Sequence, residues 1–131
     1  MEYETKSHCK YLIALYLILV VKYRKQLLLG QLGQFVKSSI VELSTRSDFT
    51  VEEIEIDKDH IHILITISPK YSVSQHVRNI KQQTNHKIWR YATNLKRQFW
   101  NEKTFWSDGY FACSVGNASA ETIRKYIQEQ G

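Results

Sequence analysis

The chain has 131 residues, 43% of them hydrophobic and 24% charged, which excludes a disordered tail and predicts a single globular domain over residues 1–131. The net charge of +5 favours a polyanionic partner such as nucleic acid. Two cysteines, Cys9 and Cys113, are too few for a disulfide framework or a zinc ribbon, so we predict reduced thiols in a cytoplasmic protein.

A hydrophobic segment near the N-terminus, residues 11–21, follows two lysines and in that respect resembles a signal peptide. No cleavage site of small residues follows it, because the next residues are Lys22, Tyr23, Arg24 and Lys25. The segment is also too short to cross a bilayer as a helix. We therefore predict a buried β-strand here and no membrane partner.

Hydrophobic periodicity divides the rest of the chain into strands, where apolar residues alternate, and helices, where they recur every three or four residues. The predicted elements are a helix over 26–45, a strand over 51–57, a tight turn at 57–59, a strand over 60–68, a helix over 73–91, a strand over 110–115, a turn at Gly116 and Asn117, and a helix N-capped by Ser119 that runs to Gln130. This order predicts an α+β fold of the ferredoxin-like or RRM-like type, β-α-β-β-α-β, with an antiparallel sheet, helices on one face and an additional C-terminal helix.

The positive charge is concentrated in residues 68–101, a stretch without any acidic residue. Lysine and arginine neutralise phosphates, and the aromatic residues interleaved with them offer faces on which unpaired bases stack. We predict DNA contacts from this stretch, although a solvated helix face with its aromatics in the core is the alternative. The predicted DNA-binding residues are Lys70, Arg78, Lys81, Lys87 and Arg90, with Lys96, Arg97 and Trp100 in the same stretch.

Two histidines, His60 and His62, begin the strand over 60–68. Because side chains alternate across a strand, both lie on one face, and the isoleucines between and after them fill the other. Imidazoles about 7 Å apart along one face can converge on a metal ion. The alternative is a pair of ordinary polar residues on an exposed sheet face.

Tyr126 and Gln130 are four residues apart on the last helix and therefore share a face. The carbonyl oxygen of glutamine is a hard ligand suited to magnesium or manganese. A phenol titrates near pH 10 in water and must be activated before it can act as a nucleophile. From spacing alone, an aromatic packed beside Ile123 and Ile127 is the better explanation of Tyr126.

Several segments resemble the HUH endonucleases. Residues 57–64, Asp-Lys-Asp-His-Ile-His-Ile-Leu, resemble their histidine-hydrophobe-histidine motif, and residues 110–117 with 125–130 are similar to the nucleophile region of one branch. That branch is the small single-tyrosine transposases of bacterial and archaeal insertion sequences. Residues 16–24 and 69–74 also resemble its segments, in the same order, so the likeness covers almost the whole chain.

The resemblance implies an RRM-like enzyme that cleaves and rejoins single-stranded DNA at insertion-sequence ends. It implies that Tyr126 forms a 5′-phosphotyrosine intermediate, while His60, His62 and Gln130 hold Mg²⁺ or Mn²⁺ at the scissile phosphate. It further implies recognition of DNA hairpins and a homodimer in which the tyrosine helix of one subunit can complete the histidine site of the other.

Some residues depart from the family pattern. Leu17 follows Tyr16 where a histidine is frequent, Val21 replaces a proline, and larger residues follow Lys81 where small ones are common. None of these positions belongs to the implied catalytic set. They leave open a variant preference for the DNA hairpin or a decaying copy of the element.

Other functions are compatible with the same motifs. The chemistry would also suit a replication initiator, a relaxase or a domesticated HUH endonuclease acting on repeated palindromes, although initiators and relaxases are generally longer. A non-catalytic single-stranded nucleic-acid-binding module on this fold would require aromatic stacking residues on the middle strands, and residues 60–68 contain none. We expect the remaining histidines, His8, His76 and His86, to lie at the surface or to contact DNA.

Overall fold

A computed structural model of the chain describes residues 1–6, 9–95, 103–115 and 120–130. Its strands are β1 (Glu4–Lys6), β2 (Cys9–Tyr11), β3 (Ala14–Val20), β4 (Phe49–Asp57), β5 (His60–Ile67) and β6 (Phe111–Ser114). Its helices are α1 (Gly30–Ser44), α2 (Val73–Tyr91) and α3 (Ala120–Glu129), with short 3-10 turns at Lys22–Arg24 and Thr93–Leu95. The predicted turn at Gly116 and Asn117, the Ser119 cap, His8 and the predicted DNA contacts of Lys96, Arg97 and Trp100 lie outside the described residues.

Four strands form one antiparallel sheet in the order β4-β5-β3-β6. A tight turn joins β4 to β5, whereas α1 connects β3 to β4 and α2 lies between β5 and β6 in the chain. This topology confirms the predicted ferredoxin-like or RRM-like α+β fold. Within the described ranges, no helix is both long enough and apolar enough to cross a bilayer.

The main core lies between one face of the sheet and the helices α1 and α2. Ile61, Ile63 and Ile65 of β5 are almost completely buried, and Leu19, Leu17 and Leu15 of β3 stand opposite them in register. They pack with Val36 and Ile40 of α1 and with Val77, Ile80 and Ile88 of α2. Since side chains alternate along a strand, His60 and His62 lie on the opposite face, which we call the outer face.

The N-terminal segment differs from its prediction. The expected strand over 11–21 is divided, because β3 begins only at Ala14 and a separate hairpin pairs β1 with β2. Helix α1 begins at Gly30 instead of residue 26, since the backbone N–H of Leu28 donates to the carbonyl of Lys58 (2.9 Å) and not to a helical partner. Gly30 itself has φ of +54°, which glycine adopts without steric cost.

Helix α2 begins where the sequence predicts, at Val73. The Ser72 hydroxyl accepts a hydrogen bond from the backbone N–H of Gln75 (3.1 Å), and the Gln75 side chain accepts one from the backbone N–H of Ser72 (2.8 Å). This reciprocal capping box satisfies backbone donors that the first helical turn leaves free. The capping box fixes the start of α2, and polar side chains of this helix hydrogen-bond residues 103–110 beside the candidate site.

Candidate active site

The two histidines of β5 stand opposite apolar residues of β3. His60 pairs with Val20 and His62 with Ile18, and directly opposed residues of antiparallel strands point to the same face. Val20 and Ile18 are fully buried although they lie outside the core cluster formed with α1 and α2. A second layer of the protein therefore covers the outer face of the sheet beside the histidines.

Helix α3 contributes this second layer. Phe111 of β6 stands opposite Ile18, and its ring centroid lies 5.7 Å from that of Tyr126 on α3. Beside this ring contact, Ser107 links β3 to α3. Its backbone N–H donates to the carbonyl of Val20 (2.8 Å), and its hydroxyl donates to Gln130 Oε1 (3.2 Å). The helix thus brings the phenol and the amide over the same face of the sheet.

Two rows of residues consequently cross the outer face side by side. One row runs from His62 through Ile18 and Phe111 to Tyr126. The other runs from His60 through Val20 and Ser107 to Gln130. The histidine strand and residues 107–111 are two strand spacings apart, about 10 Å, a span that long side chains can bridge.

Gly109 marks the place where the two α3 side chains meet the chain before β6. A Cβ atom added to Gly109 would lie 3.3 Å from Tyr126 Oη and 3.9 Å from Gln130 Oε1. Tyr126 and Gln130 therefore share a face of α3, as their spacing predicts. Glycine leaves room there for a hydroxyl that a larger residue would crowd.

The Tyr126 hydroxyl and His62 Nε2 are buried and have no hydrogen-bond partner within the described part of the chain. A buried polar group left unpaired costs about 1–3 kcal/mol, so such groups in a native protein call for an explanation. Burial also raises the pKa of Tyr126 to about 12. The phenol therefore stays neutral at physiological pH, and its hydroxyl is paired with no group among the described residues.

His60 has a carboxylate partner that the sequence prediction did not include. Its Nδ1 lies 3.0 Å from Asp59 Oδ1, and both side chains are mostly buried. A carboxylate on one ring nitrogen orients an imidazole whose other nitrogen, Nε2, points to a ligand. The Tyr16 ring, with its centroid 5.3 Å from that of His62, packs against the second imidazole.

The residues fit a divalent cation with a mixed nitrogen and oxygen ligand set. No cluster of three or more His, Cys, Asp or Glu side chains suited to a metal occurs among the residues that the structure describes. A site here therefore requires the amide of Gln130, whose carbonyl oxygen accepts one bond from Ser107 and retains a second lone pair. The unpaired nitrogen of His62 and the oriented ring of His60 supply the other two donors.

Lys81 is placed differently from the DNA contact that the sequence predicts. Its Nζ donates to the carbonyl oxygens of Ser107 (2.8 Å), Asp108 (3.1 Å) and Gly109 (2.7 Å). An ammonium group has three N–H donors, so none is left for a phosphate. A contact of Lys81 with DNA stays a prediction, and it would require the ammonium to give up one of these three bonds. Burial lowers the pKa of the Lys81 ammonium, and the carboxylate of Asp108 partly offsets this.

The other predicted DNA-binding residues lie on or near α2, across the sheet from the histidines. Arg78 and Arg90 are exposed, Lys87 forms an ion pair with Glu42 (3.4 Å), and the ammonium of Lys70 lies 5.5 Å from the ring centroid of Tyr71. Their contact with DNA stays a prediction. Because α2 packs against the other face of the sheet, the sheet separates the cations of this helix from the candidate metal site.

His76 does not lie at the surface as expected. It is buried within α2, its Nε2 lies 3.2 Å from the carbonyl oxygen of Ser68, and its ring meets those of Phe49 and Tyr71 edge-on. Its partner is a backbone carbonyl, which carries no side-chain signal in the sequence. The prediction for His86 is confirmed, because its side chain is exposed on α2.

Comparison with known proteins gives consistent matches. The family model described as "Transposase IS200 like" matches residues 9–130. The transposase for insertion sequence element IS200 of Salmonella typhimurium is 32% identical over 126 residues, covering 96% of this chain and 79% of the relative. The ISDra2 transposase TnpA of Deinococcus radiodurans is 26% identical over 120 residues, covering 92% and 85%.

Solved structures show the same fold. A Deinococcus radiodurans chain assigned as a transposase superposes with a TM-score of 0.88 at 21% identity, covering 97% of both chains. A REP-associated tyrosine transposase bound to a REP hairpin gives a TM-score of 0.56 at 15% identity, covering 94% of this chain and 68% of that one. Together with the family match, these findings confirm the resemblance drawn from the motifs.

Proposed function

Because the chain belongs to the IS200-like transposase family, we propose that it cleaves and rejoins single-stranded DNA at the ends of an insertion sequence. One observation carries the proposal: Tyr126 Oη and His62 Nε2, buried polar atoms without a partner among the described residues, belong to a single row across the outer face. A nucleophile and a metal-ligand nitrogen that both lack partners are what a site for metal and phosphate requires.

We propose that His60, His62 and Gln130 hold a Mg²⁺ or Mn²⁺ ion. When bound, the ion would polarise the scissile phosphate and favour the ionised phenol. Asp59 would hold the His60 ring so that Nε2 faces the ion. Since imidazole nitrogens suit manganese better than magnesium, we expect Mn²⁺ to support activity at least as well as Mg²⁺.

In the proposed reaction, Tyr126 Oη attacks the phosphorus of a phosphodiester. The Oη–P bond forms as the bond from phosphorus to the 3′-oxygen breaks, which leaves a 5′-phosphotyrosine and a 3′-hydroxyl that takes up the proton. A 3′-hydroxyl of a second strand then attacks the phosphotyrosine, and the proton returns to the phenol. The number of phosphodiester bonds is conserved, so the step requires no nucleotide hydrolysis.

We propose that the protein binds single-stranded DNA with hairpin ends. We further propose that it acts as a homodimer in the cytoplasm. Support comes from the family and from the fold shared with a transposase bound to a REP hairpin. Tyr126 and Gln130 contact residues 107–111 of their own chain, so one chain contains the whole candidate set. Completion of a partner's site in trans would require α3 to leave these contacts.

The same fold similarity supports a second candidate, a domesticated relative that acts on repeated palindromes. The two candidates share the chemistry and differ in the DNA. Palindromic ends that flank the gene would indicate a mobile element, whereas dispersed palindromes without such ends would indicate the domesticated role.

The experiment is to incubate the protein with Mn²⁺ and single-stranded oligonucleotides that span the DNA flanking the gene, followed by a denaturing gel. A covalent protein–DNA adduct is expected, and Tyr126→Phe should abolish it. Tyr3→Phe, at an exposed tyrosine of the N-terminal segment, is the matched control and should leave the adduct unchanged. An adduct with Tyr126→Phe would refute the nucleophile assignment. Binding without any adduct for the wild-type protein would favour a non-catalytic module.

A further inference from the structure

Residues 103–110 run along α2 and are attached to it by polar side chains on one side of the helix. These side chains belong to Ser74, Lys81, Thr84 and Asn85. The Ser74 hydroxyl lies 2.9 Å from the hydroxyl of Tyr110, Trp106 Nε1 donates to Thr84 Oγ1 (2.9 Å), and Asn85 bonds the backbone of Lys103 and Phe105 (both 2.7 Å). Side chains of α2 therefore hold the backbone of residues 103–110 in place.

The middle of the segment depends on Lys81 more than on the core. Trp106, before it, is buried, and β6, after it, is paired with β3, whereas Asp108 and Gly109 between them are exposed. Lys81 donates to the carbonyls of these two residues and of Ser107. Hydrogen bonds from an ionised donor are roughly twice as strong as neutral ones. The ammonium thus bonds three consecutive peptide groups, of which those of the exposed Asp108 and Gly109 have little packing of their own.

The other side of these peptide groups forms a wall of the candidate site. The Ser107 hydroxyl donates to Gln130 Oε1, and Tyr126 Oη lies against Gly109. The residues that Lys81 holds are therefore the ones against which the nucleophile and the amide ligand rest. A displacement of this wall would move both groups relative to the histidines.

We propose that Lys81 is a positioning residue, which sets the location of the Tyr126 hydroxyl through the carbonyls of residues 107–109. This inference rests on the proposed role of Tyr126 as nucleophile. Attack requires the reacting atoms to be aligned at about 3–3.5 Å, and a misplacement near 1 Å costs about 100-fold in rate. Loss of Lys81 should therefore slow the chemical step without weakening the binding of DNA.

The test uses three variants of the full chain. Lys81→Met removes the three donors and keeps the length of the side chain, and Lys81→Arg restores a cation with several donors. Lys37→Met makes the same chemical change on α1, at another half-buried lysine, and is the control. Each variant is assayed for the single-turnover rate of adduct formation at saturating DNA, for DNA affinity, and for the ¹⁹F resonance of 3-fluorotyrosine placed at position 126.

With Lys81→Met, we expect the adduct rate to fall roughly 10- to 100-fold, the affinity for the same oligonucleotide to stay within about twofold, and the ¹⁹F resonance to shift or broaden. Lys81→Arg should recover most of the rate and the wild-type resonance, and Lys37→Met should match the wild type in all three. If Lys81→Met fails to fold, Lys81→Gln, which keeps an amide donor, is measured against the same expectations.

A wild-type ¹⁹F resonance in a folded Lys81→Met or Lys81→Gln variant would overturn the proposal. So would a rate loss explained entirely by weaker DNA binding, which would assign Lys81 to a phosphate. The ¹⁹F measurement needs no DNA. A shifted resonance combined with a wild-type protein that forms no adduct would thus support the positioning role of Lys81 and refute the nucleophile.

Discussion

The two faces of the sheet differ in whether their buried polar groups are hydrogen-bonded. On the side of α1 and α2, the isoleucines of β5 are buried, and the indole N–H of Trp106 donates to Thr84, whose hydroxyl donates to the carbonyl of Ile80. On the outer face, Tyr126 Oη and His62 Nε2 are also buried, but neither has a hydrogen-bond partner in the part of the chain that the structure describes. The inner face therefore contributes packing and paired polar groups, whereas the outer face carries polar groups that the proposed ligand would pair.

The largest effect should come from Tyr126→Phe. Adduct formation should be lost, and the free energy of unfolding should stay the same or rise by about 1 kcal/mol, because an unpaired buried hydroxyl is removed. Urea unfolding without metal, beside the gel assay, measures both. A loss of more than 1 kcal/mol would contradict the assignment of this hydroxyl as unpaired.

The opposite result is expected on the inner face. Ile63→Ala should lower the free energy of unfolding by about 2–5 kcal/mol, since Ile63 is fully buried in the core cluster. Urea denaturation measures the loss, and Val41→Ala, at an exposed position of α1, is the control. An Ile63→Ala variant as stable as the control would remove the distinction between the faces.

The metal ligands should show an intermediate effect. Mn²⁺ should raise the melting temperature of the wild-type protein. His62→Ala should abolish this shift because it removes Nε2, the nitrogen proposed to bind the metal. Asp59→Asn should weaken Mn²⁺ binding about 10- to 100-fold through the orientation of His60. Isothermal titration with Mn²⁺ measures the affinities. His86→Ala, on the exposed side of α2, should bind Mn²⁺ as the wild type does.

Gly109→Ala should have a smaller effect, again confined to the outer face. The added methyl would lie 3.3 Å from Tyr126 Oη, so the phenol must move by a few tenths of an ångström. We expect a loss of roughly 3- to 10-fold in the single-turnover adduct rate and little change in stability. A wild-type rate would show that the phenol has room to adjust.

The smallest expected effect is a pH dependence of stability. Since burial raises the pKa of Tyr126 to about 12 against 10 in the unfolded chain, the folded protein retains the phenol proton over this interval. Its contribution to stability is therefore complete below pH 10 and is lost as pH rises toward 12. The urea midpoint should decrease less between pH 9 and pH 11 for Tyr126→Phe than for the wild type. Equal decreases in the two proteins would contradict the raised pKa of Tyr126.

Much of the inner face could be predicted from the sequence because its signals are local. Alternating isoleucines indicate β5, and Ser72 with Gln75 forms the cap that starts α2. The β1–β2 hairpin was missed because its residues are almost all exposed and show no apolar alternation. The start of α1 was misplaced because a backbone bond between Leu28 and Lys58 competes with the helix.

The outer face was predictable only for side chains that carry a motif. Strand alternation and helical spacing single out His60, His62, Tyr126 and Gln130, the family resemblance implies their joint role, and their contacts lie along two adjacent rows. The role of Lys81 could not be predicted, because its partners are backbone carbonyls that every residue possesses. Asp59, in contrast, is adjacent to His60 in the sequence and offered a visible signal.

The burial of the Tyr126 hydroxyl also affects the reactivity of a protein molecule that has bound neither a cation nor DNA. Burial raises the pKa of Tyr126 to about 12, so at pH 7 a molecule without its ligands would hold the proposed nucleophile in its neutral, unreactive form. Under the proposed chemistry, the nucleophile becomes potent only when cation and strand arrive together.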